Sequence, residues 1–245
     1  MKLDYNALTY QKMPTARIGK RNAYHLAGRV SAIYLGNKQK NLPTVHFQIV
    51  IKPTEKDGEY NGRSLRIPHK YCAQLEGGRL LPHLPHCYQR ATRLLSPADQ
   101  QQCRCAFEAD VINILAASLA EAKYVALRDG EVFNANLVYL GALKFYGGSM
   151  ELLTVDEYMG CLYPDNAAER NQKLTELFLA AYSFVNEPAN WQAIATLAET
   201  IFQSPQDVFT CEELIALLER SSDATRLPGL ANAYMAKSLN IRHAL

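Results

Sequence analysis

The sequence predicts a mainly α-helical chain with a small β-sheet (α+β), and three observations carry that expectation. From Ser96 to Leu127 one long stretch places Val111, Ile114, Leu115, Leu119, Ala122 and Val125 at helical spacing. After Pro164 helical patterning continues to about residue 220, broken at Asn186-Glu187-Pro188 and Ser204-Pro205. Only around Val45–Ile51 does the period switch to near-alternate aromatic and β-branched positions, which reads as a strand.

Taken in order, residues 1–13 read as an irregular lead-in, followed by a first helix over Ile18–Tyr34 that ends at Gly36-Asn37. The Val45–Ile51 strand precedes a turn-rich excursion, Glu55–Gly62, and Ser64–Pro68 reads as a returning strand. Residues 72–95, with Gly77-Gly78, Pro82 and Pro85, read as a loop with short helical pieces. Ser96 then offers a helix cap and Pro97 a first helical residue, and Arg128-Asp129-Gly130 ends that helix. A helix over Phe133–Tyr146 is expected to stop at Gly147-Gly148, with Ser149 capping the next one through Tyr158. Helices follow at about 166–185, 188–203 and 210–220, the last opened by a Thr210-to-Glu213 capping box. A short helix is expected near Leu227-Pro228-Gly229.

At 245 residues, 48% apolar and 20% charged, the chain can bury a sizeable core and is globular rather than disordered. A net charge of +2 gives no general pull toward nucleic acid or membrane. The charge is uneven, because residues 1–40 carry eight Lys or Arg against the single acid Asp4. A solvated helical face is the plainer reading of that excess, and a docking surface for an acidic partner or nucleic acid the sharper one. No run of about 18 apolar residues is present to span a membrane, and no apolar signal core opens the sequence. Six irregularly spaced cysteines (Cys72, Cys87, Cys103, Cys105, Cys161, Cys211) then read as reduced thiols, which places the protein in the cytoplasm.

One segment of the first helix carries chemistry. His25-Leu26-Ala27-Gly28-Arg29 follows the zinc-peptidase pattern H-E-x-x-H at its first histidine only. That pattern sets two imidazoles one turn apart with a glutamate beside them as general base. Here Leu26 stands where the base would be and Arg29 where the second ligand would be.

Two later segments extend the match. Leu115-Ala116-Ala117-Ser118-Leu119-Ala120-Glu121-Ala122 resembles the second helix, L-x-G-x-x-A-E, of FtsH-type zinc metallopeptidases. Gly147-Gly148-Ser149-Met150-Glu151-Leu152 resembles their G-x-S-x-D-L segment, whose aspartate is the third zinc ligand. The three occur in the family's order across roughly residues 15–160, most similar to stand-alone soluble relatives. The resemblance implies a zincin-like helical domain over residues 1–160 and a helical extension over 161–245 packed on the same core. It makes His25 a remnant first ligand, puts Glu151 at the third-ligand place with one extra methylene, and sets Glu121 behind the site within hydrogen-bonding range. The general base is missing, since Leu26 cannot take a proton. Arg29 has no lone pair for a metal and stays charged. Zinc is therefore not expected, and an Arg29–Glu151 ion pair is expected in its place.

The expected function is a pseudopeptidase that binds a protein or peptide, with a regulatory role, in the groove between the first helix and the Val45–Ile51 strand. A zinc peptidase with altered ligands, independent of ATP since no G-x-x-x-x-G-K-[ST] occurs, is the alternative. A nucleic-acid-binding regulator acting through the basic N-terminal helix, with Tyr5, Tyr10, Tyr24, Tyr34 and Tyr60 nearby, is a second alternative. His83, His86 and Cys87 with Cys103 and Cys105 form one further candidate metal set, against ordinary loop histidines and buried thiols. Asp156 and Glu157 read as surface acids.

Overall fold

A computed structural model describes residues 17–53, 59–60, 63–64 and 71–221. The elements are α1 (Lys20–Ser31), a π-helical turn (Ala32–Gly36), α2 (Asn37–Gln39), β1 (Phe47–Pro53), β2 (Glu59–Tyr60), β3 (Arg63–Ser64) and β4 (Tyr71–Gly77). They continue with α3 (Tyr88–Thr92), α4 (Pro97–Asp129), a 3-10 turn (Leu140–Phe145), α5 (Ser149–Leu162), α6 (Ala167–Asn186), α7 (Pro188–Gln203) and β5 (Val208–Phe209). A last helix covers 211–221. The chain is mainly α with a small sheet. Among the described residues no helix is long and apolar enough to cross a membrane, and all six cysteines are free thiols.

The axis of the fold is α4, 33 residues long and so roughly 50 Å from end to end. Its start is capped by Ser96, whose Oγ accepts from Asp99 N at 3.2 Å, and Gly130 closes it at φ 72°. Every residue from Ala109 to Lys123 is buried, so this helix is wrapped on all sides. α1 crosses it at Gly28, where a Cβ would fall 2.4 Å from Ala120 Cβ and 2.7 Å from the Ala116 carbonyl oxygen. Only a residue without a side chain permits that approach. Tyr24 holds the other side of α1 by stacking on Tyr124 (4.2 Å between centroids) and Trp191 (5.6 Å). Leu177, Phe178, Val185, Ile194, Leu197 and Ile201 of α6 and α7 enter the same core cluster as α1 and α4. The described residues beyond 160 therefore share one core with those before.

The sheet has the order β4-β1-β5, antiparallel throughout, with β1 in the centre. Phe47, Ile49, Val50 and Ile51 of β1 are buried. Asp110 of α4 ties the loop after β4 down: its carboxylate accepts from Leu80 N (2.9 Å), Leu81 N (3.0 Å) and the Tyr158 hydroxyl (2.9 Å). Burial raises the Asp110 pKa and these hydrogen bonds oppose the rise.

Several expectations are corrected. Residues 72–77, the start of the expected loop, belong to strand β4, paired with β1 from Phe47↔Gly77 to Pro53↔Tyr71. Its Tyr-Cys-Ala-Gln-Leu run lacks β-branched residues; Gly77 and Gly78 (φ 78° and 79°) end the strand, and the expected loop with its short helix α3 follows from there. Of the expected Ser64–Pro68 strand, Ser64 pairs in the two-residue β2–β3 ladder and 65–70 lie outside the described residues. Phe133–Tyr146 is not an α-helix. Asn134 Oδ1 captures the backbone N–H groups of Asn136 (2.9 Å) and Leu137 (3.0 Å), and only the 3-10 turn follows. The first helix runs past Gly36-Asn37 through its π turn, because Asn37 is buried and accepts from Asn113 Nδ2 at 3.3 Å. Ser149 is not the cap of α5; Gly148 is, and the Ser149 hydroxyl reaches back to the Lys144 carbonyl at 3.4 Å. The Thr210–Glu213 box forms, at 2.9 and 3.3 Å. The lead-in 1–13 and the short helix near Leu227 lie outside the described residues.

The crossing at Gly28 makes a paired test. Gly28→Ala should destabilise the protein by on the order of 2 kcal/mol in chemical denaturation. Gly160→Ala, in a helix with nothing within 4 Å of the new Cβ, should stabilise it by about 0.5 kcal/mol. Equal stability of both variants would contradict the tight α1–α4 contact.

Candidate functional site

Three segments far apart in sequence meet at one point. The outward face of α1 presents Arg21, His25 and Arg29 at successive helical turns. Glu121 approaches from the middle of α4, and Glu151 from the first turn of α5, where a carboxylate suits the helix N-terminus. His25 Nδ1 lies 3.2 Å from Glu121 Oε2 and His25 Nε2 lies 3.1 Å from Glu151 Oε1. The second Glu121 oxygen accepts from Arg21 Nε at 2.7 Å, and Arg21 Nη2 also donates to the Phe145 carbonyl at 2.7 Å. Gly147 lets the α5 entry pass this cluster. At φ 70° its Cβ would fall 2.9 Å from His25 Nδ1 and 3.1 Å from Glu121 Oε2.

An imidazole between two carboxylates can donate to both only when it carries both protons. Burial works against that charge, but the hydrogen bonds and negative charges of Glu121 and Glu151 outweigh it and push the His25 pKa up to about 9. Burial alone would also raise Glu151, yet its hydrogen bond to His25 and the His25 and Arg29 charges hold it below the ordinary value. The side chains of His25, Glu121 and Glu151 are 12%, 7% and 17% exposed, so water screens this group weakly.

These residues line a cleft of about 550 Å³, walled on one side by Arg21, Asn22, His25, Leu26 and Arg29 and on the other by Ala73, Gln74 and Leu75 of β4. β4 pairs with β1 on one edge and with no strand on the other among the described residues. The groove thus faces β4, not the Val45–Ile51 strand, whose core is the central β1. Leu26 lines the cleft but is only 4% exposed and packs into the core.

The expected Arg29–Glu151 ion pair is corrected. Glu151 takes its partner from His25, and among the described residues Arg29 forms no ion pair or hydrogen bond. Burial lowers the Arg29 pKa from its ordinary value; the Glu151 charge pulls it back up and the nearby Arg79 adds to the lowering. His25 therefore occupies the carboxylate that Arg29 was expected to neutralise.

As a ligand set these residues are short of donors: Arg29 supplies no lone pair, and no group of three or more His, Cys, Asp or Glu placed to hold a metal occurs among the described residues. The same holds for His83, His86, Cys87, Cys103 and Cys105, which form no such group; His83 and His86 are exposed in their loop. Asp156 and Glu157 are exposed on α5. Four cations of the basic first segment are paired within the chain: Arg17 with Asp207, Lys20 with Glu199 at 2.9 Å, Arg21 with Glu121 and Lys38 with Glu219 at 3.4 Å. Tyr24 is buried in its aromatic stack, and Tyr5 and Tyr10 lie outside the described residues. Arg21 and the β4 edge were missed from sequence. The i, i+4, i+8 spacing of Arg21, His25 and Arg29 was the available signal for the first.

No family model, curated protein or solved structure matches the chain.

Because the folded His25 pKa is raised from the ordinary 6.5 to about 9, its contribution to stability is complete below about 6.5 and is lost as pH rises through about 9. The loss over that window should be on the order of 3 kcal/mol. In an NMR titration His25 should stay protonated at neutral pH, and Glu151→Gln should drop its midpoint back toward the ordinary value. A neutral His25 at pH 7 in the unmodified protein would refute the charged arrangement.

Proposed function

We propose that this chain is a non-catalytic, pseudopeptidase-like module that binds an extended segment of a protein or peptide partner. The observation that carries the reading is the cleft between the α1 face and the strand-free edge of β4. An extended chain entering there can continue the sheet by main-chain hydrogen bonds to β4, while side-chain preference comes from α1. Three features support a peptidase-like ancestry. The α1, α4 and α5 segments that resemble the FtsH-type metallopeptidases converge on one point, the cleft lies beside a sheet edge, and His25 and Glu151 stand together at the remnant ligand places.

The substitutions within that site favour binding over hydrolysis. Leu26 provides no base, and His25 is held as a cation by two carboxylates, which removes it both as a ligand and as a proton acceptor at neutral pH. The reading as a zinc peptidase with altered ligands would need a different donor set. The reading as a nucleic-acid regulator loses support because four cations of the first segment, Arg17, Lys20, Arg21 and Lys38, are paired with the chain's own acids.

Hydrogen–deuterium exchange on the whole protein, with and without an excess of β-prone hexapeptides, tests the reading. The β4 amides of Ala73–Leu75 that are not bonded to β1 should gain protection, and the purified protein should be folded with no stoichiometric metal. Unchanged exchange in β4, or stoichiometric zinc whose removal abolishes peptide cleavage, would refute it.

A further inference from the structure

We infer that Arg29 is the specificity element of the cleft and that the segment bound there carries an acidic side chain, whose carboxylate pairs with the Arg29 guanidinium. The inference rests on the peptide-binding reading above. It starts from an imbalance. The cleft is lined by the cations Arg21, His25 and Arg29 and by the carboxylates Glu121 and Glu151. Glu121 is shared by Arg21 and His25, and Glu151 is held by His25. Three cations thus face two carboxylates, and among the described residues Arg29 is the one hydrogen-bonded to neither.

Arg29 is also poorly placed to live without a partner. It is withdrawn enough for burial to disfavour its charge, it sits near the like charge of Arg79, and among the described residues it has no hydrogen bond, ion pair or aromatic ring to lie on. A half-buried guanidinium that has only solvent for acceptors, among the described residues, gains from a carboxylate that offers two acceptors in its plane. Its neighbour Asp110 does not hydrogen-bond it; the Asp110 oxygens accept from Leu80, Leu81 and Tyr158. A planar carboxylate entering the cleft would meet the guanidinium in a bidentate, charge-assisted pair in a weakly screened setting.

The carboxylate comes from a side chain rather than a chain end. The β4 residues that wall the cleft, Ala73, Gln74 and Leu75, are the middle of a seven-residue strand. A segment paired there continues in both directions, and alternate side chains point toward α1. Arg29 faces the middle of such a segment, and Gly28, locked against Ala120, fixes the turn of helix that presents it.

Two blocked hexapeptides identical except for a central Glu or Gln, and a third uncharged peptide with a free C-terminal carboxylate, provide the test by fluorescence anisotropy. The Glu peptide should bind unmodified protein on the order of 10- to 100-fold more tightly than the Gln peptide. Arg29→Gln should abolish that difference, and Arg29→Lys should retain part of it. The peptide comparison needs no variant, so it stands even if Arg29→Gln fails to fold. Equal binding of Glu and Gln peptides overturns the role of Arg29 alone, whereas binding of neither overturns the peptide cleft itself. Preference for the free C-terminus, or Arg29-dependent self-association in sedimentation, overturns the proposal by naming a chain end or a second copy as the occupant.

Discussion

The architecture depends on one imidazolium. Among the described residues His25 is the only side chain hydrogen-bonded to both Glu121 of α4 and Glu151 of α5, and through them it ties α1 to both helices. The pair of contacts is nearly dry, and removing one member would leave a buried charge uncompensated, at a cost of roughly 3–5 kcal/mol. The surrounding backbone is shaped to allow it. Gly28 brings α1 close enough to α4 for His25 to reach Glu121, and Gly147 leaves room for the imidazole where any side chain would collide with it. Arg21, fixed between Glu121 and the Phe145 carbonyl, completes the charge balance from the turn before.

In the proposed reading this cluster and Arg29 divide work that a metal would have done alone. A zinc ion joins segments and also polarises what is bound. Here a proton on His25 suffices to join the segments, because two glutamates accept from it. The charge that remains for a ligand lies one helical turn away on Arg29. Leu26, buried at the place where the resemblance would put a general base, packs into the core. In that reading the β4 edge, unpaired among the described residues, would supply the backbone half of recognition, and Asp110 anchors the loop that follows it through Leu80 and Leu81.

Much of this was legible in the residues. The long helices announced themselves through apolar periodicity, Ser96-Pro97 and the Thr210–Glu213 box, because those signals are local. The site residues His25, Glu121 and Glu151 were found through three short segments whose order could be read. What could not be read was pairing. Arg29 and His25 both lie on the face toward Glu151, and which one reaches it depends on the α1–α4 crossing distance set by Gly28 and Ala120. Strand β4 escaped notice because its stability comes from register with β1 rather than from β-branched residues of its own. Residues 133–146 have apolar content that suits a helix, but the Asn134 side chain competes for the backbone donors and wins.

The central claim is that a protonated histidine, not a metal, joins α1 to α5. A double-mutant cycle with His25→Gln and Glu151→Gln, measured by chemical denaturation in the presence of a strong chelator, tests it most directly. The predicted coupling is about 1–3 kcal/mol at pH 7, falling toward zero above the His25 titration. A coupling that is absent with chelator and appears only on addition of zinc would contradict it.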